Sequence, residues 1–197
     1  MRRLGAWTAL AAGFLAGGCA TGPPPVDHFY RLEVPGPASS LPAPRFDGLL
    51  AVEPLRSDGL LRERAMAYAG AAGSELRQHA YHSWVAPPTD LLQEALVTFL
   101  RASKVAGTVV TPEMRLRPDY LVTGRLLRFE RLLGEGEPGV VVELRLGLKD
   151  VGPGKVLWTG TYREEAAAPG SEIGDAVAAF DAAVGRVFGR FVEDIAR

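Results

Sequence analysis

The sequence predicts an α+β domain of two layers, a mainly antiparallel sheet with two amphipathic helices packed on it. Three observations predict it. From Asp119 to Glu165, apolar and polar residues alternate in three runs separated by glycine-rich turns, the period-2 pattern of strands that bury one face. Leu91, Leu92, Ala95, Leu96, Phe99 and Leu100 recur at helical spacing. Ile173, Val177, Phe180, Val184, Val187, Phe191 and Ile195 do the same. Each stripe needs an apolar partner, and the sheet supplies one.

Taken in order, His28 to Val34 alternates as a first strand and stops at Pro35. Residues 35–44, with four prolines, Gly36, Ser39 and Ser40, form a surface connection. Leu49-Leu50-Ala51-Val52-Glu53-Pro54 is short and turn-bounded, as a buried strand is. Ala65 to Ala69 and Glu75 to Trp84 read as two strands around the turn Gly70-Ala71-Ala72-Gly73, although their alanines also suit a helix. Pro87-Pro88 then breaks the chain. A helix follows with Thr89 as cap and Asp90 near its positive end, closing around Ser103. Val105 to Thr111 is a short strand ended by Pro112.

The three clear strands are Tyr120 to Leu132, Val140 to Lys149 and Val156 to Glu164. In the second, Val140, Val142, Leu144, Leu146 and Leu148 point inward and Glu143, Arg145 and Lys149 outward. The turns at residues 134–139 and 152–154 make the three a meander. The chain closes with the second helix, from Ile173.

Composition narrows the function. Hydrophobic residues make up 47% and charged residues 23%, ordinary globular values that argue against disorder throughout. The net charge of -1 leaves no global basic field of the kind nucleic-acid binding uses. Cys19 is the single cysteine, so an intrachain disulfide and a cysteine zinc site are both excluded.

The amino terminus reads as an export signal. Arg2 and Arg3 precede an apolar run from Leu4 to Leu15, and small residues then lead to Cys19. A membrane-spanning helix needs about 20 apolar residues, and this run is shorter and interrupted by Gly5 and Gly13. Residues 1–18 are therefore expected to be cleaved as a signal peptide. Leu15-Ala16-Gly17-Gly18-Cys19 resembles the lipobox of bacterial lipoproteins, with Ala16 where leucine is usual. The resemblance implies diacylglycerol on Cys19, whose several acyl chains would make a durable anchor. Residues 19–26, with Pro23-Pro24-Pro25, form an extended tether rising about 3.1 Å per residue. Residues 27–197 form a single domain.

No set of residues assembles into a catalytic pattern. His79 and His82 could hold a metal from one face of a helix, but on the expected strand they point to opposite faces, and no nearby carboxylate completes a hydrolytic triad. His82-Ser83 lacks a Gly-x-Ser-x-Gly elbow. Gly134-x-Gly136 and Gly152-x-Gly154 suit hairpin turns better than phosphate cradles. Gly185 and Gly189 form a small-residue pair whose neighbours Arg186, Arg190, Glu193 and Asp194 keep the helix out of lipid, so close approach to the sheet is expected there. Tyr81, Trp84 and Trp158 are amphipathic aromatics that could meet a partner. No metal and no cofactor are expected.

Several stretches in a fixed order carry a resemblance over nearly all of residues 19–197. They are Phe29-Tyr30-Arg31-Leu32 beyond the lipobox, Val52-Glu53-Pro54, and Tyr81-His82-Ser83-Trp84-Val85-Ala86-Pro87-Pro88 leading into Leu91-Leu92. Asp119-Tyr120-Leu121-Val122-Thr123-Gly124, Phe129-Glu130, Leu148-Lys149-Asp150 and the terminal amphipathic helix continue it. In this the chain resembles the ABC-type transport auxiliary lipoproteins, a family that includes PqiC-like partners of MCE-domain proteins in Mla-type lipid transport systems.

The resemblance implies a non-enzymatic lipoprotein at the periplasmic face of the outer membrane. It would dock an MCE-domain protein whose ABC permease and ATPase complete the system, and it would form a homo-oligomeric ring. Ala20 stands where an aspartate would favour inner-membrane retention. Two other readings stay open: a periplasmic lipid- or ligand-binding module, which would need a sizeable apolar cavity, and an outer-membrane assembly lipoprotein. An enzyme is the reading the residues support least.

Overall fold

The fold is described from a computed structural model, which places residues 25–70, 75–134 and 137–197. Its spine is the meander, with β6 at Tyr120–Leu132, β7 at Gly139–Asp150 and β8 at Lys155–Ala167. The alternation in β7 is realised as expected: Val140, Val142, Leu144, Leu146 and Leu148 are each at most 1% exposed. Antiparallel ladders join β6 to β7 and β7 to β8 along their whole lengths.

The other side of β6 is shared. Its first residues pair with β2, Phe46–Val52, and its last with β3, Ala65–Ala69, both in parallel. The sheet therefore forks. One branch continues from β2 to β5, Ala106–Val110, again in parallel. The other runs through β3 to antiparallel β4, Leu76–Trp84, and ends on β1, His28–Tyr30, which is parallel to β4. Between the branches, Arg56 forms an isolated parallel bridge to Arg125. Antiparallel pairing carries most of the register, but four of the pairings are parallel.

Strands β3 and β4 resolve the ambiguity of the alanine-rich stretch in favour of strands, because each segment finds a ladder partner and packs Met66 and Trp84 into the core. The first strand is shorter than expected. Leu32 and Val34 still pack on the core, but the chain there has left the ladder, and the Glu33 N–H donates to Asp181 Oδ1 on the last helix at 2.7 Å. A half-buried extended segment and a strand share one alternation. Only the ladder distinguishes them.

Helix α1 spans Pro88–Ser103. It begins one residue before the expected cap because Pro88 occupies its first turn, where a missing N–H costs nothing. Thr89 lies inside that turn, its hydroxyl 3.3 Å from Asp90 Oδ1, and does not cap the helix. Lys104, left-handed at φ 54°, ends it. Helix α2, Ile173–Ala196, opens with a capping box between Glu172 and Asp175.

Both helices cover one face of the sheet. Trp84, Phe129 and Phe180 form the core's aromatic centre, with ring centroids 4.4 to 5.4 Å apart. Phe99 and Phe188 meet edge-on at 5.7 Å where α1 touches α2. The small residues of α2 serve a contact other than the one expected. A Cβ on Gly185 would lie 3.1 Å from Pro35 Cγ, so this part of the helix approaches the 35–41 segment and not the sheet.

Candidate docking surface

The helices leave the opposite face of the sheet bare, and the residues expected to matter divide between the two sides. Cys19 lies outside the described residues. Trp84 is 1% exposed in the aromatic centre, which corrects the expectation that it meets a partner: its strand parity turns it inward, and Phe129 and Phe180 enclose it. Trp158 is half-buried on β8, its Nε1–H donating to Tyr162 Oη at 2.8 Å. That phenol in turn donates to Asp194 Oδ2 at 2.9 Å, tying β8 to the end of α2. Burial is the first cause that pushes the Tyr162 hydroxyl up to about 12, with the Asp194 carboxylate adding to it.

Tyr81 is 45% exposed on β4. It is not alone. Phe29 on β1, 55% exposed with Arg64 over its ring at 5.4 Å, and Val85 just beyond β4, 39% exposed, lie along the same strand pair. Strands β3, β6 and β7 separate β4 from β8, so Tyr81 and Trp158 do not share a patch. Phe29, Tyr81 and Val85 thus form one exposed apolar group, at the free edge where the described chain begins, while Val156 and Leu157 are exposed separately on β8.

On the other side of the same strands the chain's three histidines converge. Residues 78 to 83 of β4 oppose only residues 65 to 67 of β3, so β4 bulges there. The bulge overturns the expectation that His79 and His82 point apart: their rings lie 5.8 Å apart, edge to face. His28 stacks on His82 at 5.0 Å, and Tyr68 packs on His79 at 4.5 Å.

Hydrogen bonds occupy two of the ring nitrogens. The Tyr30 hydroxyl bonds His82 Nδ1 at 2.9 Å, and an N–H of Arg131 donates to His79 Nε2 at 3.3 Å. A guanidinium can only donate, so His79 is held neutral with its proton on Nδ1. Burial first, then the charge of Arg131, holds His79 down to about 4. The same causes, with His28, lower His82. Among the described residues no group of three or more histidine, cysteine or acidic side chains could hold a metal.

The bare face carries charge in rows across β6, β7 and β8. Arg128 meets Glu130 with Nε to Oε1 at 2.6 Å, and Arg163 sits between Glu143 and Glu165. One row is different. Arg125 stands directly opposite Arg145 in the ladder, with Arg56 bridged to Arg125 on its far side. Outward positions in alternating strands are legible in sequence, but opposition across strands is a matter of register, which the periodicity of one segment does not carry.

Comparison with known proteins follows the fold. A search of curated proteins finds no match. Among solved structures, a Xanthomonas campestris protein of family DUF330 is 22% identical, with 84% of this chain and 92% of that one covered and a TM-score of 0.74. An uncharacterized protein is 17% identical, covering 88% and 98%, with a TM-score of 0.64. PelC of Paraburkholderia phytofirmans, solved as a dodecamer, is 15% identical, covering 77% and 91%, at 0.45. Likeness at such identities speaks for the fold alone. The sequence model of the ABC-type transport auxiliary lipoprotein component matches residues 30–193, from the first strand to the last turn of α2. The chain belongs to the ABC-type transport auxiliary lipoprotein family.

Proposed function

We propose that this protein is the outer-membrane-anchored docking part of an ABC transport system. Lipidated Cys19 and the tether of residues 19–26 hold the domain at the periplasmic face. The domain receives the end of an MCE-domain protein whose permease and ATPase lie in the inner membrane. The cargo is lipid or another hydrophobic compound. The single observation that carries the transport role is the family match over residues 30–193. No helix of the described residues is long and apolar enough to cross a membrane, which fits attachment through a lipid.

The bare sheet face supports docking in particular. Phe29, Tyr81 and Val85 sit beside β1, within a few residues of the tether, so a partner seated there would meet the domain close to its anchor. Confinement to a membrane raises the effective concentration of such a partner by orders of magnitude. Self-association into a ring would present several copies of this patch to one partner.

The test is Cys19→Ala in cells. The variant is expected to fold, to leave the membrane fraction and to lose co-purification with the MCE protein. A variant that stays membrane-bound, or supports full transport when released, overturns the anchoring role. Light scattering of the domain with and without the MCE protein tests the ring, and a monomer in both cases removes it.

A further inference from the structure

The row of three arginines on the bare face sets like charges side by side. Like charges directly opposite one another in a ladder repel, and Arg125 faces Arg145 in this way with Arg56 bridged alongside. Elsewhere on this face the sheet pairs its arginines, Arg128 with Glu130 and Arg163 with Glu143 and Glu165. Here only Asp58 answers, and it binds Arg125 and reaches Arg62 at 3.6 Å. Among the described residues no carboxylate lies within 4.0 Å of the Arg56 or Arg145 guanidinium.

These unpaired groups surround a hollow. Arg56, Arg125 and Arg145 line a depression of about 350 Å³ together with Thr123, Gly147 and Thr159. The last three form the neighbouring cross-strand row, Thr123 opposite Gly147 and Gly147 opposite Thr159. Glycine keeps the row open, since a Cβ on Gly147 would lie 3.3 Å from Thr123 Oγ1. Neither threonine hydroxyl has a hydrogen-bond partner among the described residues. Glu53 is the one carboxylate in the lining. Three guanidiniums against Glu53 and Asp58 leave the hollow net positive.

We propose that this hollow binds a tetrahedral oxyanion of the phosphate class, free or as a phospholipid headgroup. Planar guanidinium forks from β7 and from the segment bridged to β6 match such an ion with paired, charge-assisted hydrogen bonds. The threonine hydroxyls donate to the oxygens that face the sheet. Asp58 positions Arg125 and leaves Arg56 and Arg145 for the ligand. The bound anion removes the repulsion across β6 and β7, which explains a row that is unfavourable when empty. The proposal rests on register and lining, independently of the docking role.

The test is titration calorimetry on the full chain in a phosphate-free, non-ionic detergent, with inorganic phosphate in one arm and dihexanoyl-phosphatidylglycerol below its micellar concentration in the other. Saturable binding is expected, weakened about tenfold by Arg145→Gln, the loss of one charged hydrogen-bonding partner. Arg117→Gln, an equal charge change at an exposed site outside the hollow, is expected to leave it unchanged. Binding in the lipid arm alone assigns a headgroup, and equal binding in both arms assigns phosphate itself. Arg145→Lys, which keeps the charge without the fork, is expected to bind with intermediate strength and guards against a folding defect. No saturable binding in either arm, or equal weakening by Arg117→Gln, overturns the proposal. So does loss of a protein partner in Arg145→Gln with phosphate binding intact, which would make the row a protein contact.

Discussion

Strand β7 faces two surroundings at once, and its two sides differ in what they are for. Toward the helices, Val140, Val142, Leu144, Leu146 and Leu148 are buried in one core with Phe180, Val184, Val187 and Phe191. Away from them, the same strand turns out Arg145, which is exposed, and Glu143 and Lys149, which are half-buried. The first side is fixed by packing, where each methylene removed leaves a void. The second is free of that constraint. Charges there can be paired or left unpaired at small cost to the fold, and both the arginine row and the apolar patch lie on surfaces the helices leave open.

The contrast can be broken most severely from the inner side. Phe180→Ala removes the ring that contacts both Trp84 and Phe129, and it is expected to cost about 3–5 kcal/mol, read as a lowered midpoint in chemical denaturation. Full stability in that variant would mean the core is not centred there. Gly48 comes next. Its φ of 111° and the Asp119 carboxylate that a Cβ would strike leave room only for glycine, while that carboxylate accepts the Leu49 N–H at 2.8 Å. Gly48→Ala is expected to cost about 1–3 kcal/mol, with calorimetric unfolding as the check.

Acidification probes the histidine cluster, which belongs to the inner side although it lies near the sheet's free edge. His79 is faced by Tyr68 from β3, by His82, beyond which lie His28 and Tyr30 of β1, and by Arg131 from β6, with Glu172 and Asp175 answering Arg131 from the start of α2. Its folded value of about 4 lies below the ordinary 6.5. Between these values the unfolded chain binds a proton that the folded chain refuses. The contribution is therefore whole above pH 6.5 and is lost progressively as the pH falls toward 4. The melting temperature is expected to drop over that window, and less so in His79→Gln. Histidine resonances in Arg131→Met should show the His79 value rising, since one of the charges that depress it is gone.

The smallest effect belongs to the bare face. Arg145→Gln is expected to change stability by no more than about 0.5 kcal/mol, and in phosphate-free buffer to raise it if anything, because repulsion from Arg125 is relieved. A large destabilisation would show that the outer side is as constrained as the inner.

Periodicity within one segment was enough to read β6, β7, β8 and both helices, because each face of an element meets a single solvent and the residues along it record which one. Leu146 and Arg145 declare their sides without reference to any other part of the chain. The single cysteine and the apolar leader are equally local signals. Pairing is not local. That β2 and β3 divide one side of β6 between them, that a bulge in β4 turns His79 toward His82, and that Arg125 lands opposite Arg145 depend on contacts between segments distant in sequence. A shift of one residue in register reverses every face. Tertiary packing alone selects that register, so the elements were written in the sequence and the sites they form were decided by how the elements met.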